Sequence, residues 1–588
     1  MNKVWRLLPD APQSFYEEHP ELPPLVARLL YQRGITTQGA IDEFLNPDYS
    51  VHVHDPFLFR DMTKAVDRIF LAQEKKEKIT IHGDYDADGV SASVILSTLF
   101  RTLGIEHDVF LPHRETDGYG LNAKTVDLLK SQGTSVIITC DCGISNGQEI
   151  EKANHQGIDV IVTDHHSIPA KLPPAFAIIH PKVDGETYPD KTLAGGGVAF
   201  KLAQAIIRKH HETNELLPNG ERHEAFEKWL LDMVAIASVA DMVPLLGESR
   251  TLTKYGLIVL NKTRRVGLQK LLLEARLIHE DGSSKKELNA DTIGFQIAPR
   301  INAAGRMNHA NAAYNLLVTE SPIEAIDLAF ALNHSNQDRQ KLTEDIVKEA
   351  TKQIEADQKH KEVLFAIGDW PVGIVGLIAS KLKERYQKPT IVMSQGAAIT
   401  GSGRSVIGFN MIEAMQEMPE FFLKFGGHPM ACGFTLKDVD QLEAMKTALI
   451  KKFQTKTAGR DQTPFVSVDA EVKLEEVNWD LYDILEKFKP FGQANEKPKY
   501  VAYGLTIIGT EPVGKDGKHL RILVNHTTPR TRKLIGWNLC QENDNCVNWG
   551  KELKKGDTVD MVFEIDVNEW NGNRELQLTI VDLKKNNS

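Results

Sequence analysis

The sequence predicts an α/β protein of several domains: a parallel-sheet core, a second α/β unit joined to it through a long helical connector, and a small C-terminal β-barrel. Three observations carry that prediction. From about residue 78, short β-branched runs alternate with helical stretches, the pattern of a parallel sheet covered on both faces. From Pro322 to about Asp357 the chain is long, polar and helical in period, as suits one or two helices joining two lobes. From Val466 to Leu583 the pattern becomes that of five or six short strands, enough for a small barrel.

The elements follow in order. Residues 1–58 read as a helical, proline-punctuated segment, with helical periodicity at Leu25–Arg33 and Ala40–Leu45, ended by Asn46-Pro47-Asp48. Strands are predicted at Ile79–His82, Val136–Cys140, Val160–Thr163 and Ala177–His180, with a helix over Ser91–Leu103. Phe226–Val239 is apolar enough for one buried helix. The second α/β unit shows strand-like runs at Val363–Ile367, Thr390–Met393 and Ala398–Thr400, followed by dense glycines at 401, 403, 426, 427 and 433. After a polar stretch at 451–463 come strand signals at Val466–Val472, Leu505–Ile508, His519–Val524, Lys533–Trp537, Val559–Ile565 and Glu575–Val581. The predicted boundaries are therefore 1–58, 59–320, 321–357, 358–455 and 464–588.

At 588 residues the chain is too long for one ordinary domain. Its 41% hydrophobic and 25% charged residues are those of a globular protein. A net charge of -11 weighs weakly against binding nucleic acid, but local patches decide that question, and carboxylates gathered round metals add negative charge of their own. Five scattered cysteines, Cys140, Cys142, Cys432, Cys540 and Cys546, form no disulfide framework and point to a reducing cytoplasm. No apolar run reaches the ~18 residues of a membrane span, and Met1–Asp10 lacks the sustained apolar stretch of a signal peptide.

The chemistry sits at three successive strand ends. The first strand runs into His82-Gly83-Asp84-Tyr85-Asp86-Ala87-Asp88-Gly89, the second into Asp141-Cys142-Gly143, the third into Asp164-His165-His166. Ligands of open parallel sheets bind beyond the carboxyl ends of the strands, so these residues should converge. Carboxylates packed this densely repel one another unless cations lie between them, and a mixed carboxylate–imidazole set suits Mn²⁺ or a similar ion. Two such ions, bridged by a carboxylate such as Asp141, could activate water and stabilise a phosphoryl displacement. Taken singly, D-x-D-x-D-G could be half a calcium loop, and Asp-His-His a capped turn. The calcium reading lacks its bidentate Glu and follows a strand, and coincidence explains all three motifs poorly.

These motifs resemble those of the DHH/DHHA1 phosphoesterases, and among them the RecJ single-strand-specific 5′ exonucleases, over nearly the whole chain. Val239-Ala240-Asp241-Met242-Val243-Pro244-Leu245 resembles the fourth motif of that family; without the resemblance Asp241 is only an acid at a helix end. The resemblance implies two divalent cations, Mn²⁺ preferred or Mg²⁺, held by Asp86, Asp88, Asp141, His165 and Asp241. His82 stands where related enzymes place a metal-binding His, and Asp84 and His166 would orient ligands or contact phosphate. Pro112-His113-Arg114 with Gly118-Tyr119-Gly120-Leu121 resembles a substrate-facing loop, Leu193–Lys201 a family Gly-rich turn, and Pro299–Arg306 a RecJ signature whose Arg300 and Arg306 could clamp phosphates. Gly401–Ser405 and Gly426–Phe434 resemble the DHHA1 signature, which makes Ser402, Arg404, Gly427 and His428 candidates for a terminal 5′ phosphate. One departure stands out: Trp370-Pro371-Val372-Gly373 replaces the Trp-His-x-Gly frequent in such families. The last unit resembles the RecJ OB-fold, preceded by Pro490–Asn495, with Lys515, Lys518, His519 and Arg521 as local charge.

The resemblance thus implies a 5′→3′ exonuclease on single-stranded DNA, releasing 5′-mononucleotides in repair and recombination. A single-strand-binding protein and a repair helicase are the partners that the resemblance suggests, and a monomer is the default expectation. Two rivals are an oligonucleotide or cyclic-dinucleotide phosphodiesterase, which has no need of the barrel, and an inactive DNA-binding scaffold, which would have lost ligands that are all present here.

Overall fold

A computed structural model of the chain describes residues 3–357, 361–396, 398–461, 463–541, 547–570 and 573–586; Cys546 lies outside them. The chain divides into two compact units, Val53–Val243 with Leu252–Gln462, and Met1–His52 with Pro244–Thr251 and Thr463–Ser588. Among the described residues no helix is long and apolar enough to cross a membrane.

In the first of these units, five parallel strands run in the order His107–Phe110, Lys78–Gly83, Thr134–Cys140, Asp159–Thr163, Ala177–Ile179. The central strands are almost wholly buried on both faces, hence their runs of β-branched residues, with Thr80 and His82 among the buried polar exceptions. His107–Phe110, which the sequence pattern did not single out, is a short half-exposed edge strand with two polar residues. The helices Ala87–Leu103, Gly195–His211 and Leu231–Ala240 pack on one another beside the sheet. The predicted single helix over Phe226–Val239 is two, His223–Trp229 and Leu231–Ala240. At the break, Leu230 N–H donates to Glu227 O and Met233 N–H to Leu230 O, two i→i−3 bonds that tighten the turn.

The connector is one continuous helix, Pro322–Asp357, 36 residues long. It packs against the helices Val266–Glu274, Ala298–Met307 and Val372–Tyr386. The sheet that follows runs Phe422–His428, Ala431–Leu436, Ile399–Arg404, Thr390–Gln395, Leu364–Gly368, with only the last pair parallel. Its glycines are strand residues, not turns. A Cβ on Gly401 would lie 2.4 Å from the Phe434 ring, and one on Gly403 2.3 Å from Met411 Sδ, so bulky neighbours set these two glycines.

The other unit holds the barrel. Strands Tyr500–Val513, His519–Asn525, Arg532–Gly536, Asn573–Lys585 and Thr558–Trp570 pair in that order, and the last closes on the first. Bulges interrupt the long strands near Ala502, Ile507 and Val562, which lets them bend round the closure. The N-terminal segment belongs to this unit. Val4–Leu7 is a strand, parallel to Phe465–Val468, and Phe15, Leu29 and Phe44 share one core with Phe488, Leu520 and Phe563. The sequence reading of a separate helical segment 1–58 missed this, because four residues cannot announce a strand whose partner lies at 465–468. Arg250 is buried in the same unit: its guanidinium lies 4.1 Å over the Phe44 ring and donates from Nη2 to Lys487 O and Lys489 O, 2.7 Å each. Arg250→Ala strips both carbonyls of their donor and leaves a void. We expect it to lower the stability of this unit by about 2–5 kcal/mol, read as a shifted urea midpoint.

Candidate metal centre

The carboxyl ends of Lys78–Gly83, Thr134–Cys140 and Asp159–Thr163 bring the three motifs together. Three donor sets form among the described residues, each with atoms within 4.8 Å of one another: Asp84, Asp86 and Asp141; Asp88, His165 and Asp241; Asp141, His165 and His166. Asp141 and His165 each belong to two sets, an overlap that suits ions sharing a ligand. His165 Nε2 lies 3.1 Å from Asp141 Oδ1, 3.5 Å from Asp241 Oδ2 and 3.7 Å from Asp88 Oδ2.

Local structure aims each side chain. Asp86 caps the helix Ala87–Leu103, its Oδ1 accepting from Asp88 N–H at 3.0 Å and Gly89 N–H at 3.2 Å. Asp141 follows the strand end with φ of 62°, a left-handed backbone rare outside glycine. The Gly-rich turn opens the helix Gly195–His211, and its first two N–H groups hold both oxygens of Asp88: Gly195 N to Oδ2 at 2.8 Å and Gly196 N to Oδ1 at 2.6 Å. A Cβ on Gly195 would lie 2.5 Å from Asp141 Cβ. That turn therefore seats two carboxylates against a helix N-terminus.

The site is starved of positive charge. Burial first, then the charges of Asp241 and Asp86, holds Asp88 well above the usual carboxylate range. Burial and the charges of Asp88, Asp86 and Asp84 do the same to Asp141, and burial with Asp86 to Asp84. Asp241 is pushed up to about 7 by burial and Asp86. Four polar atoms here are buried without a hydrogen bond: His82 Nε2, Asp84 Oδ1, Asp141 Oδ1 and His165 Nε2. Burial, then the charge of His166, lowers His165 to about 3, which leaves the neutral imidazole a ligand requires. Hard anionic oxygens, neutral imidazole and unused lone pairs fit divalent cations. His82 is lowered to about 4 by burial; it stacks on Phe110 and stands outside the three donor sets.

Asp164 plays another part. It accepts from the backbone N–H of Ile144, His165 and His166 and from His166 Nδ1 at 2.8 Å. Burial raises its pKa, but the hydrogen bond and charge of His166 dominate together and hold it at about 2. Burial likewise lowers His166, yet Asp164 lifts it to about 9, so it is an imidazolium at neutral pH, 3.8 Å from Asp141 Oδ1. The Tyr119 hydroxyl donates to Asp141 O at 3.0 Å, and its ring meets His166 edge-on. Lys182 donates to His165 O.

A guanidinium cluster adjoins the acids. Arg306 is lowered to about 9 by burial and by the charges of Arg114, Arg339 and Arg404, while Asp86 opposes. Arg114 lies 4.2 Å over the Tyr85 ring. Arg404 is oriented by Ser402 Oγ at 2.8 Å and Ser380 Oγ at 3.1 Å. Asn302 accepts from Ala87 N–H, a Cβ on Gly305 would strike Tyr85 O, and Arg306 donates to Gly373 O at 2.9 Å, so the Pro299–Arg306 motif joins the first metal motif to the second sheet's lobe. Arg300 instead bonds Asn333 Oδ1 and Gln296 O. His428 ends its strand close enough to His166 and Lys182 for their charges, after burial, to lower its pKa. Gly427 has φ of 138°, which a side chain would resist. Arg339, on the connecting helix and held by Asn336, had no sequence signal, nor had Tyr119 or Lys182 as neighbours of the metal donors. In the barrel, Lys518 and Arg521 pair with Asp516 and Glu511, and His519 meets the exposed Trp537 ring at 4.8 Å.

Known proteins share this domain architecture and fold. Models of the DHH family N-terminal domain, the DHHA1 domain and the RecJ OB domain match residues 78–238, 360–455 and 468–582. The chain is 36% identical over 572 residues to the single-stranded-DNA-specific exonuclease RecJ of Bacillus subtilis, covering 96% of this chain and 68% of that protein. It is 31% identical over 583 residues to the protein of the same name from Escherichia coli, covering 95% and 96%. The fold is similar to the crystal structure of RecJ in complex with Mn²⁺ from Thermus thermophilus, with TM-score 0.80 and 26% identity over 100% of this chain and 80% of that one. A Mg²⁺ complex of that protein aligns with TM-score 0.74 and 25% identity.

Two outcomes follow for the metal-free protein. Carboxyls raised above their unfolded pKa give stability that is complete below it and lost as pH rises through the folded value. Metal-free protein should therefore lose melting temperature relative to its Asp241→Asn variant as pH rises from about 4 through 7, the value reached by Asp241, a comparison in which the opposite contributions of the buried neutral His165 and His82 cancel, and Mn²⁺ should restore more at pH 8 than at pH 5.5. Asp141→Asn removes one repelling charge; it should raise the metal-free melting temperature by several degrees and shrink the Mn²⁺-induced shift. Gly195→Ala, by displacing Asp141 and Asp88, should weaken Mn²⁺ binding at least tenfold by calorimetry while circular dichroism stays unchanged.

Proposed function

We propose a mechanism from one premise: the chain belongs to the RecJ family of single-stranded-DNA-specific exonucleases. It is a hydrolase of single-stranded DNA whose metal centre takes Mn²⁺ or Mg²⁺. The observation that carries the mechanism is the pairing of overlapping acid donor sets with a buried guanidinium cluster. Asp86, Asp88, Asp141, His165 and Asp241 would hold two cations, with Asp84 and His82 beside them. When bound, the ions supply Lewis acidity to a phosphodiester and to water.

The protein's own groups do the rest. Gly195, Gly196 and the cap at Asp86 fix the carboxylates. His166, kept cationic by Asp164, faces the same space and balances charge growing on the phosphoryl oxygens. Arg306, Arg114 and Arg404, the last oriented by Ser402, hold the 5′ phosphate, with Arg339 adding its charge to the cluster. With the 5′ end anchored there, the next phosphate meets the metal centre. Water adds to its phosphorus, the P–O3′ bond breaks, and a 5′-mononucleotide leaves with its 3′ oxygen protonated. The strand keeps a new 5′ phosphate, which gives 5′→3′ polarity. Trp537 and Tyr503, exposed on the barrel, offer stacking faces to the bases of a single strand. The barrel and the complete donor set support this reading over a cyclic-dinucleotide phosphodiesterase or an inactive scaffold. A monomer in the cytoplasm, with a single-strand-binding protein and a repair helicase as partners, completes it, supported by the family resemblance and by cysteines 140, 142, 432 and 540 being free.

The test uses a 3′-labelled single strand with a 5′ phosphate, the blunt duplex and a cyclic dinucleotide, each with Mn²⁺. Progressive loss of the single strand alone, abolished by Asp141→Ala, is expected; hydrolysis of the cyclic dinucleotide alone would sink the reading. Arg306→Ala and Arg404→Ala should each cut the preference for a 5′ phosphate over a 5′ hydroxyl by about 10–100-fold, as losing a charged hydrogen bond of about 1.5–3 kcal/mol requires.

A further inference from the structure

The face of the second sheet that carries Arg404 continues past the guanidinium cluster. Side chains two residues apart on a strand share a face, so the cross-strand pairs form rows about 7 Å apart. One row holds His428, Ala431 and Arg404; the next holds Gly426, Gly433 and Ser402; the third holds Lys424, Thr435, Thr400 and Ser394. The first row lies toward His166, so the third lies farthest from the acids. Beyond Ser402, which meets Arg404, this middle row is bare at Gly426 and Gly433 for no internal reason. A Cβ on Gly426 would meet nothing within 4 Å, one on Gly433 only Gly401 O at 3.9 Å, and neither residue has a positive φ. Glycines that the protein's own packing does not require leave a low floor for an occupant.

The third row opens on a cavity of about 530 Å³, within the roughly 300–1,000 Å³ of ordinary small-ligand sites. Arg114 lines it as well as the guanidinium cluster, and Arg114 Nε is buried with no hydrogen-bond partner. The helix Val372–Tyr386 lies along the same face: Gly376 and Ser380 meet Arg404, and Val372, at its N-terminus, lines the cavity. The cavity thus has a helix N-terminus, Lys424 and Arg114 for an anion, and three hydroxyls with Glu115 and Asp369 for a group rich in both donors and acceptors. Two cations set against two carboxylates fit a nucleotide better than a bare polyphosphate.

We propose that this cavity is an outer compartment for a nucleoside monophosphate joined by a pyrophosphate link to the 5′ phosphate of the strand, so that strands blocked in this way are degraded without prior unblocking. The proposal rests on the 5′ phosphate lying among Arg114, Arg306 and Arg404. The reaction is unchanged: water adds to the first internal phosphorus, its P–O3′ bond breaks, and the pyrophosphate link survives. The first product is then a dinucleoside pyrophosphate, and the shortened strand carries an ordinary 5′ phosphate.

The Mn²⁺-loaded full chain is given two 3′-labelled strands of one sequence, one with a 5′ monophosphate and one 5′-adenylylated, and first products are identified by mass spectrometry. Degradation of the adenylylated strand within about tenfold of the monophosphate rate, with release of the dinucleoside pyrophosphate, is expected. Val372→Trp, at a position 37% exposed, fills the cavity and should slow the adenylylated strand at least tenfold more than the monophosphate strand; Lys424→Ala should do so severalfold. An inert adenylylated strand beside a degraded monophosphate strand overturns the proposal alone. So does equal degradation by the wild type and both variants, since the cap then lies elsewhere. If neither strand is degraded, the 5′-phosphate reading fails and takes this one with it.

Discussion

Mutual repulsion among buried carboxylates is the constraint around which the catalytic unit is organised. Asp84, Asp88 and Asp141 are almost wholly withdrawn from water, and Asp86 and Asp241 stand close enough to raise their protonation. Such a cluster persists only if the scaffold over-determines it. Three devices do so: the left-handed backbone at Asp141, the two N–H groups of Gly195 and Gly196 on Asp88, and the helix cap at Asp86. Each fixes its residue from behind: Asp141 Oδ1 is left without a hydrogen bond, whereas both oxygens of Asp88 accept a backbone N–H and keep only their remaining lone pairs for a cation. The instability of the empty site is thus the same property as its affinity for cations, seen from two sides.

The guanidinium cluster is the complementary deficit. Arg306 is buried among Arg114, Arg339 and Arg404, and burial with like charge makes its own protonated form unfavourable. Within this unit one centre lacks cations and its neighbour lacks an anion. A phosphorylated strand end arriving with metal ions satisfies both at once, whereas either partner alone leaves one deficit standing. On the mechanism proposed above, recognition of the strand end rests on a balance of charges more than on contacts to bases.

The parallel sheet and the three acidic strand ends were legible because two periodicities and one topological rule suffice to place them. Asp241 was legible only by resemblance: it is the residue after Leu231–Ala240, and nothing in its neighbours distinguishes it from an ordinary helix-end acid. The Gly-rich turn was visible as a motif, but its work on Asp88 and Asp141 was not, since that depends on a close approach across more than fifty residues of chain. Gly401 and Gly403 were visible as part of a glycine-dense signature, but not the reason for them, which is that Phe434 and Met411 occupy the space where their side chains would be. Arg339 and Lys182 lay beyond sequence reasoning altogether: a single cation on a polar helix or loop looks like any solvated one until its neighbours are known.

The departure at Pro371 shows how far a borrowed motif can be pressed. A His at that position would lie just before the helix Val372–Tyr386; here a proline holds the cap position, where its missing N–H costs nothing, and the adjoining Trp370 is buried and donates to Glu349. Two other imidazoles lie on this side of the molecule: His166, bonded to Asp164, and His428, close enough to His166 to feel its charge. Pro371 instead lines the outer cavity beside Arg114 and Thr400. On the mechanism proposed above, the substitution bears on what can lie beyond the 5′ phosphate, and it stands outside the three donor sets.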